Sequence, residues 1–504
     1  MLSAFANTLK IPELRDRILF TLAMIVIVRV GAAITLPGVD PSVLQLWVDS
    51  KSDPESTGGA AVAALLNVFS GGGLQNCAIF ALGIMPYISA SIMMQLLTAV
   101  VPKLGKLKKE DGGQQKINMY TRYLTIVLCL FQGFLLAKSL INPGQNIFLD
   151  GLAGVIRDSG RDLVPNPGMG FVFTTVITIT AGTMLLMWLG EQITERGIGN
   201  GISLIICVNI ISALPGALVQ VWESYIGGEN ASPINAMVLV VLVAFLILVI
   251  AAVIALTQAQ RRIGIQYAKR VVGRKVMGAQ GTQYMPLKVN YAGVMPIIFA
   301  QAILMFPAQI VGYLFPASAG AQKFVTMMQG GSLYYIISAI LIFFFSYFWV
   351  ATMFQPSEIS EQLKKNGGYI PGVRPGKPTA AFLDFTMSRL TFAGAAFLTI
   401  VAVLPSLLSK QLGVAPMTAQ FFGGTSLLIL VGVLLDVMRQ TETHLIQRHY
   451  DGFLRKGKIK GRSDRRQART GQAASSNSLL YLWIALAIMI LAGVTYALIK
   501  QAAG

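Results

Sequence analysis

Few side chains in this sequence can do chemistry. Its three cysteines, Cys77, Cys129 and Cys207, are scattered through apolar surroundings, as buried core cysteines are. The two histidines, His444 and His449, lack nearby cysteines or a carboxylate cluster and read as surface residues. The run GIGNG at 197–201 has the glycine content of a nucleotide loop, but it follows no strand, so it reads as a tight turn. No Ser/His/Asp set, no HExxH and no phosphate-binding glycine loop occurs. The chain therefore reads as neither an enzyme nor a cofactor or metal protein. What remains is positive charge. The stretch 257–290 holds Arg261, Arg262, Lys269, Arg270, Arg274, Lys275 and Lys288 with no acid, and PGVRPGKP at 371–378 puts Arg374 on a proline-stiffened turn. Such groups suit an anionic macromolecule, RNA or an acidic protein face. The ordinary excess of positive charge in cytoplasmic loops accounts for them equally well.

The elements that carry these loops are apolar. The chain has 504 residues, 54% of them hydrophobic and 12% charged, with net charge +18. Soluble proteins average about 25% charged, so this is a polytopic membrane protein. Eleven apolar segments meet the length of a membrane span, at 18–36, 77–100, 123–141, 170–190, 201–221, 235–256, 291–315, 333–354, 390–409, 421–438 and 478–499. With the N-terminus inside, 32 of the 40 Lys and Arg fall in inside loops and 6 in outside loops. That asymmetry sets the orientation and supports the segment count. Residues 1–17 interleave Lys10, Arg15 and Arg17 with Leu9, Ile11 and Leu14, an amphipathic cytoplasmic lead-in rather than a cleaved signal.

Two further patterns point to a cavity. The apolar piece 62–70 is too short to span, stops at Gly71, Gly72 and Gly73, and must be buried in protein or line a cavity. GIMPYISA at 83–90 and GVMPIIFA at 293–300 share five of eight residues, in segments two and seven, which run in opposite directions. That is the trace of an inverted repeat of two five-helix halves, with a proline expected inside each helix at matching depth. The segments are almost free of ionisable groups: Arg29 lies in the first, while Glu191 and Asp436 lie at inner ends, and no segment centre carries an acid. An ion-coupled small-solute transporter with inverted repeats, the alternative reading, places ionisable groups mid-membrane. An apolar cavity acts instead as a dewetted gate.

Long motifs then carry a resemblance: FSGGGL (69–74), IFALGIMPYISASIMMQLL (79–97), NMYTRY (118–123), GTMLLMWLGEQITERGIGNGIS (182–203), PLKVNYAGVMPIIFA (286–300), PGVRPGKPT (371–379) and FGGTSLLI (422–429). In this order they closely resemble the SecY family of preprotein translocases, from about residue 10 to 440. The resemblance implies an all-α polytopic fold, a ten-helix hourglass channel of two pseudo-symmetric halves, 18–221 and 222–438. It implies the central protein-conducting channel of the Sec translocon in the bacterial cytoplasmic membrane, passing unfolded secretory proteins and releasing membrane segments sideways.

By motif position the resemblance implies a pore ring of Ile84, Ile88, Ile206, Ile298 and Ile429, with Met295 close by. It implies a plug at 63–73, including Ala63, Leu66, Phe69, Gly71, Gly72 and Gly73. Its lateral gate lies between segments two and seven, where Gln95, Gln132 and Gln301 either meet signal helices or make ordinary interhelical hydrogen bonds. Arg261, Arg262, Lys269, Arg270 and Arg374 match the docking surface for the ribosome or the motor ATPase SecA. Implied partners are SecE, SecG, signal peptides and nascent chains, with anionic lipids a candidate for the basic tail. One departure is clear: a basic cytoplasmic tail, 439–477, leads to the extra span 478–499, which puts Gly504 outside. The family assigns this span no role.

Overall fold

The computed structural model describes residues 12–40, 42–43, 70–74, 76–141, 162–222, 233–267, 271–272, 275–276, 283–314, 318–330, 332–412 and 425–455. In chain order the helices are α1 (Pro12–Ala33), α2 (Met85–Val100), α3 (Pro102–Lys109), α4 (Gly113–Ile141), α5 (Met169–Arg196), α6 (Gly201–Trp222) and α7 (Pro233–Gln258). Four strands follow: β1 (Gln260–Tyr267), β2 (Val271–Val272), β3 (Lys275–Val276) and β4 (Gln283–Lys288). The chain continues through α8 (Met295–Leu314), α9 (Ala319–Gly330), α10 (Ser332–Met353), α11 (Pro356–Lys365), β5 (Gly368–Tyr369), α12 (Lys377–Leu412) and α13 (Thr425–Arg455). The fold is helical, as expected. Among the described residues five helical stretches are long and apolar enough to cross a membrane, six if the bent pair α2–α3 counts as one span. Four more helices, α1, α7, α8 and α13, overlap the remaining first ten apolar segments. The basic tail beyond Arg455 and the eleventh segment lie outside the described residues.

Two details differ from expectation. Segment 77–100 is helical only from Met85; before it, the described residues 71–74 and 76–84 form turns, with a single bridge at Ala78. Positive φ at Gly71, Gly72, Cys77 and Gly83 takes these residues out of the helical region. Likewise Pro86 and Pro296 do not interrupt helices. Each is the second residue of its helix, where no hydrogen-bonded N–H is needed. Both repeated octets thus build the same device: a glycine with positive φ (Gly83, Gly293), then a proline-started helix. The amide of Ile88 donates to the carbonyl of Ile84, and that of Ile298 to Val294, at the same octet positions.

The basic loop 257–290 is a β-hairpin, not an irregular loop. β1 and β4 pair antiparallel from Gln260↔Lys288 to Ile265↔Gln283, and β5 joins the other edge of β1 through Gln266↔Tyr369 and Tyr267↔Gly368. Ile263 and Leu287 pack with Ile370, Val350, Phe354, Leu383 and Met387, so the sheet sits on the ends of α10 and α12. This apolar underside joins two loops that are about a hundred residues apart in sequence.

Close helix packing also depends on small residues. A Cβ on Gly201 would run into the Gly190 carbonyl and Ile193 where α6 meets α5. Gly201→Ala is expected to cost about 1–3 kcal/mol by overpacking, read as a lower thermal midpoint of the purified protein. An unchanged midpoint would show that the two helices can separate without penalty.

Candidate functional site

The five isoleucines meet. Ile84 and Ile88 at the start of α2, Ile206 on α6, Ile298 on α8 and Ile429 on α13 all belong to one buried cluster, none more than 8% exposed. On α2 the spacing 84, 88, 92 places three isoleucines on one face. On α6 the cluster continues through Ile210, and on α13 through Val433. The four helices are segments two, five, seven and ten, two from each half. Met295 stands apart: it is the first residue of α8, 37% exposed and outside the cluster. Phe299, next to Ile298, is held edge-on by Phe345 and Trp349 at 5.6 and 5.4 Å between ring centroids, which locks α8 against α10.

No Asp, Glu, Lys or Arg is buried among the described residues. A cleft of about 240 Å³ lies between the sheet root and the cluster. Lys288, Asp436 and Arg439 line it with Asn200, Val294 and Val433. The isoleucine side chains offer no group that could coordinate water or an ion.

Of the residues expected to form a plug, Gly71, Gly72 and Gly73 are described, while Ala63, Leu66 and Phe69 lie outside the described residues. Ser70 closes the segment: its Oγ accepts from the Leu74 amide at 3.1 Å, and the Gly73 amide donates to the Ser70 carbonyl at 3.3 Å. A contact that sequence reasoning missed reaches this turn. Arg29 on α1 donates from Nη1 to the Gly71 carbonyl and to Ser212 Oγ on α6, both at 2.9 Å. Its signal was already visible: an arginine inside an apolar span needs acceptors.

The glutamines expected at a lateral gate lie on α2, α4 and α8, and α2 touches both α4 and α8. Gln95, Gln132 and Gln301 are each half-buried. Gln95 Nε2 donates to Ser91 Oγ at 3.3 Å, while its Oε1 is buried without a partner. A buried amide oxygen left unpaired carries a desolvation penalty that an incoming donor would relieve.

Of the residues expected to dock a partner, Arg261 and Arg262 are exposed at the root of β1, and Arg374 is exposed on the turn between β5 and α12. Lys269 and Arg270 lie outside the described residues. The Arg374 turn is well braced. Thr379 Oγ1 donates to the Arg374 carbonyl at 2.8 Å, the Val373 amide donates to Ile370, and Gly372 and Gly376 adopt positive φ.

Comparison with known proteins agrees with this architecture. The SecY family model matches residues 78–438. The protein translocase subunit SecY of Chlamydia trachomatis is 40% identical over 466 residues, covering 92% of this chain and all of that one. The subunit of the same name from Escherichia coli K12 is 42% identical over 455 residues, 89% of this chain and 96% of that one. Among solved structures, a protein-conducting channel superposes with TM-score 0.53 at 17% identity, covering 87% of this chain and 94% of that one. The idle yeast Ssh1 complex bound to the yeast 80S ribosome gives 0.53 at 16% identity, covering 89% and 94%. With matching motifs along most of its length and the same helical architecture, this chain belongs to the SecY family.

Proposed function

We propose that the five-isoleucine cluster is the closed waist of the channel. The chain is a protein-conducting channel of the translocon, and the small-solute transporter reading finds no support. The observation that carries the waist assignment is the meeting of Ile84, Ile88, Ile206, Ile298 and Ile429 from four helices, two per half, in one buried cluster. A constriction of branched apolar side chains excludes water and ions at rest. It offers no specific hydrogen bonds, so a passing chain of any sequence can displace it. A sufficiently apolar segment leaves between α2 and α8 into lipid, gaining the transfer free energy of its side chains.

The rest of the reading follows from placement. Residues 63–73 plug the outer funnel, and Gln95, Gln132 and Gln301 border the exit. The N-terminus lies inside in the bacterial cytoplasmic membrane, and the span 478–499 carries Gly504 outside. Arg261, Arg262, Lys269, Arg270 and Arg374 dock an anionic partner, the ribosome or the motor SecA, while SecE and SecG complete the membrane complex. The basic tail faces anionic lipid or rRNA. A channel of this kind has no energy source of its own, so the motor is a partner.

The test is a photocrosslinker attached to a cysteine at Ile88. With a stalled, half-exported chain, the crosslink is expected at the chain residue in transit and at successive residues as the stall point moves. Crosslinks only to neighbouring helices would remove Ile88 from the path.

A further inference from the structure

We infer that the cleft at the sheet root is an entry subsite that holds charged side chains of the passing polypeptide just before the waist, basic ones at Asp436 and acidic ones at Lys288 and Arg439. This rests on the waist reading of the isoleucine cluster. The cleft takes its walls from both halves. Asn200 and Ser203 come from the start of α6, Lys288 and Val294 from the end of β4 and the linker into α8, and Asp436 and Arg439 from α13. Each wall leads into the cluster. On α6, Ser203 is three residues before Ile206, a rise of about 4.5 Å. At the start of α8 the Val294 carbonyl accepts from the Ile298 amide. On α13, Asp436 is seven residues after Ile429, a rise of about 10 Å.

The charges in the cleft are available. Among the described residues none of Lys288, Asp436 and Arg439 forms an ion pair, although Asp436 and Arg439 stand three residues apart on one helix face. All three are exposed. The neutral polar groups shape the walls instead. Asn200 Oδ1 accepts from the amides of Ile202 and Ser203 at 3.1 and 3.4 Å and so caps α6, while Asn290 Nδ2 donates to the Gly293 carbonyl at 3.1 Å. A charged side chain entering a dry constriction must give up its water. Fixed opposite charges beside the constriction replace part of that hydration.

Gly432 points the same way. It lies inside α13, where glycine is a poorer helix former than alanine. Packing does not ask for it, since a Cβ there would meet nothing of its surroundings within 4 Å. Gly201 is the contrast, where a Cβ would run into the Gly190 carbonyl. The side chain missing at 432 leaves the cleft wall open. The space of about 240 Å³ admits side chains of an extended chain, whereas a partner's helix is about 10 Å across.

The test uses the full chain, with its co-purifying subunits, in proteoliposomes. Stalled export substrates differ only in one triplet, Lys, Glu or Gln, beside a single cysteine. Ser203→Cys supplies the crosslinking partner on the cleft wall, and the native cysteines, which are buried, give the background without it. With the triplet stalled at the cleft, disulfide yield is expected to be about threefold higher for Lys and for Glu than for Gln, the strength of an exposed ion pair. Asp436→Asn should remove the excess for Lys alone. Lys288→Gln combined with Arg439→Gln should remove the excess for Glu alone. Comparing triplets within one variant cancels any change in docking. Gly432→Leu fills the cleft with a better helix former, so it should lower all three yields without lowering the thermal midpoint. Should it fail to accumulate, Gly432→Ala takes its place with the same direction. Equal yields for the three triplets, or a Lys excess that survives Asp436→Asn, would overturn the subsite, and crosslinks from Ile88→Cys to the same chains would then leave the waist standing. Chains that crosslink at Ser203→Cys but never at Ile88→Cys would overturn the waist, and the subsite with it.

Discussion

Replacing Ile88, Ile298 and Ile429 together by glycine is expected to raise the resting ion conductance of membranes holding this protein by more than about tenfold. The three side chains come from α2, α8 and α13 and are 8%, 6% and 2% exposed within one cluster. Removing them opens space on three sides of the proposed waist, which then becomes wide enough for water. A wetted constriction conducts; a dry one does not. Dissipation of a membrane potential across proteoliposomes reads this directly. The variant also loses stability, since emptying a buried isoleucine site costs about 2–5 kcal/mol and a mid-helix glycine about 1 kcal/mol against alanine. Single Ile→Val changes at the same positions provide the control. They cost about 0.5–1.5 kcal/mol each but keep the apolar closure, so they should not leak. A triple variant that folds and holds the potential would end the waist assignment.

Arg374→Glu is expected to reduce export about tenfold while leaving the thermal midpoint in place, because a surface charge contributes within about 0.5 kcal/mol to stability and far more to encounter with a charged partner. The structure separates the two effects. The backbone at Arg374 is used, its carbonyl accepting from Thr379, but its side chain is exposed. Glycines with positive φ at 372 and 376 and the hydrogen bonds at 370, 373 and 379 shape the turn without the guanidinium. Reversing the charge therefore alters what the turn presents, not how it is built. Arg374→Ala should fall between wild type and Arg374→Glu, and raising salt should narrow the differences. Normal export by Arg374→Glu would remove Arg374 from the docking surface.

How much of this was legible beforehand is clear from particular residues. The repeated octets at 83–90 and 293–300 marked the two helices that flank the axis, and the family resemblance implied Ile88 and Ile298, their matched isoleucines; both lie in the central cluster. Their prolines were misplaced, however. A Gly-X-Met-Pro string in an apolar run looks the same whether proline kinks a helix or starts one, and positive φ at Gly83 and Gly293 makes it a start. The β-hairpin was also missed. Its hydrophobic alternation is short, with Ile263 and Ile265 on β1 and Leu287 on β4, and the basic residues beside them drew the reading toward a solvated loop. β5 is two residues long and has no sequence signature of its own.

The sequence by itself determined what periodicity and composition can carry. It specified apolar spans, the positive charge between them, the inverted repeat and the family motifs, all of which arise from neighbours along the chain. Only the tertiary structure decided which distant groups meet: the five isoleucines in one buried cluster, the two basic loops on one sheet, and Arg29 on the carbonyl of Gly71. Those meetings depend on packing between elements and on backbone acceptors. A carbonyl oxygen belongs to every residue alike, so no residue type in the sequence marks the one that Arg29 will find.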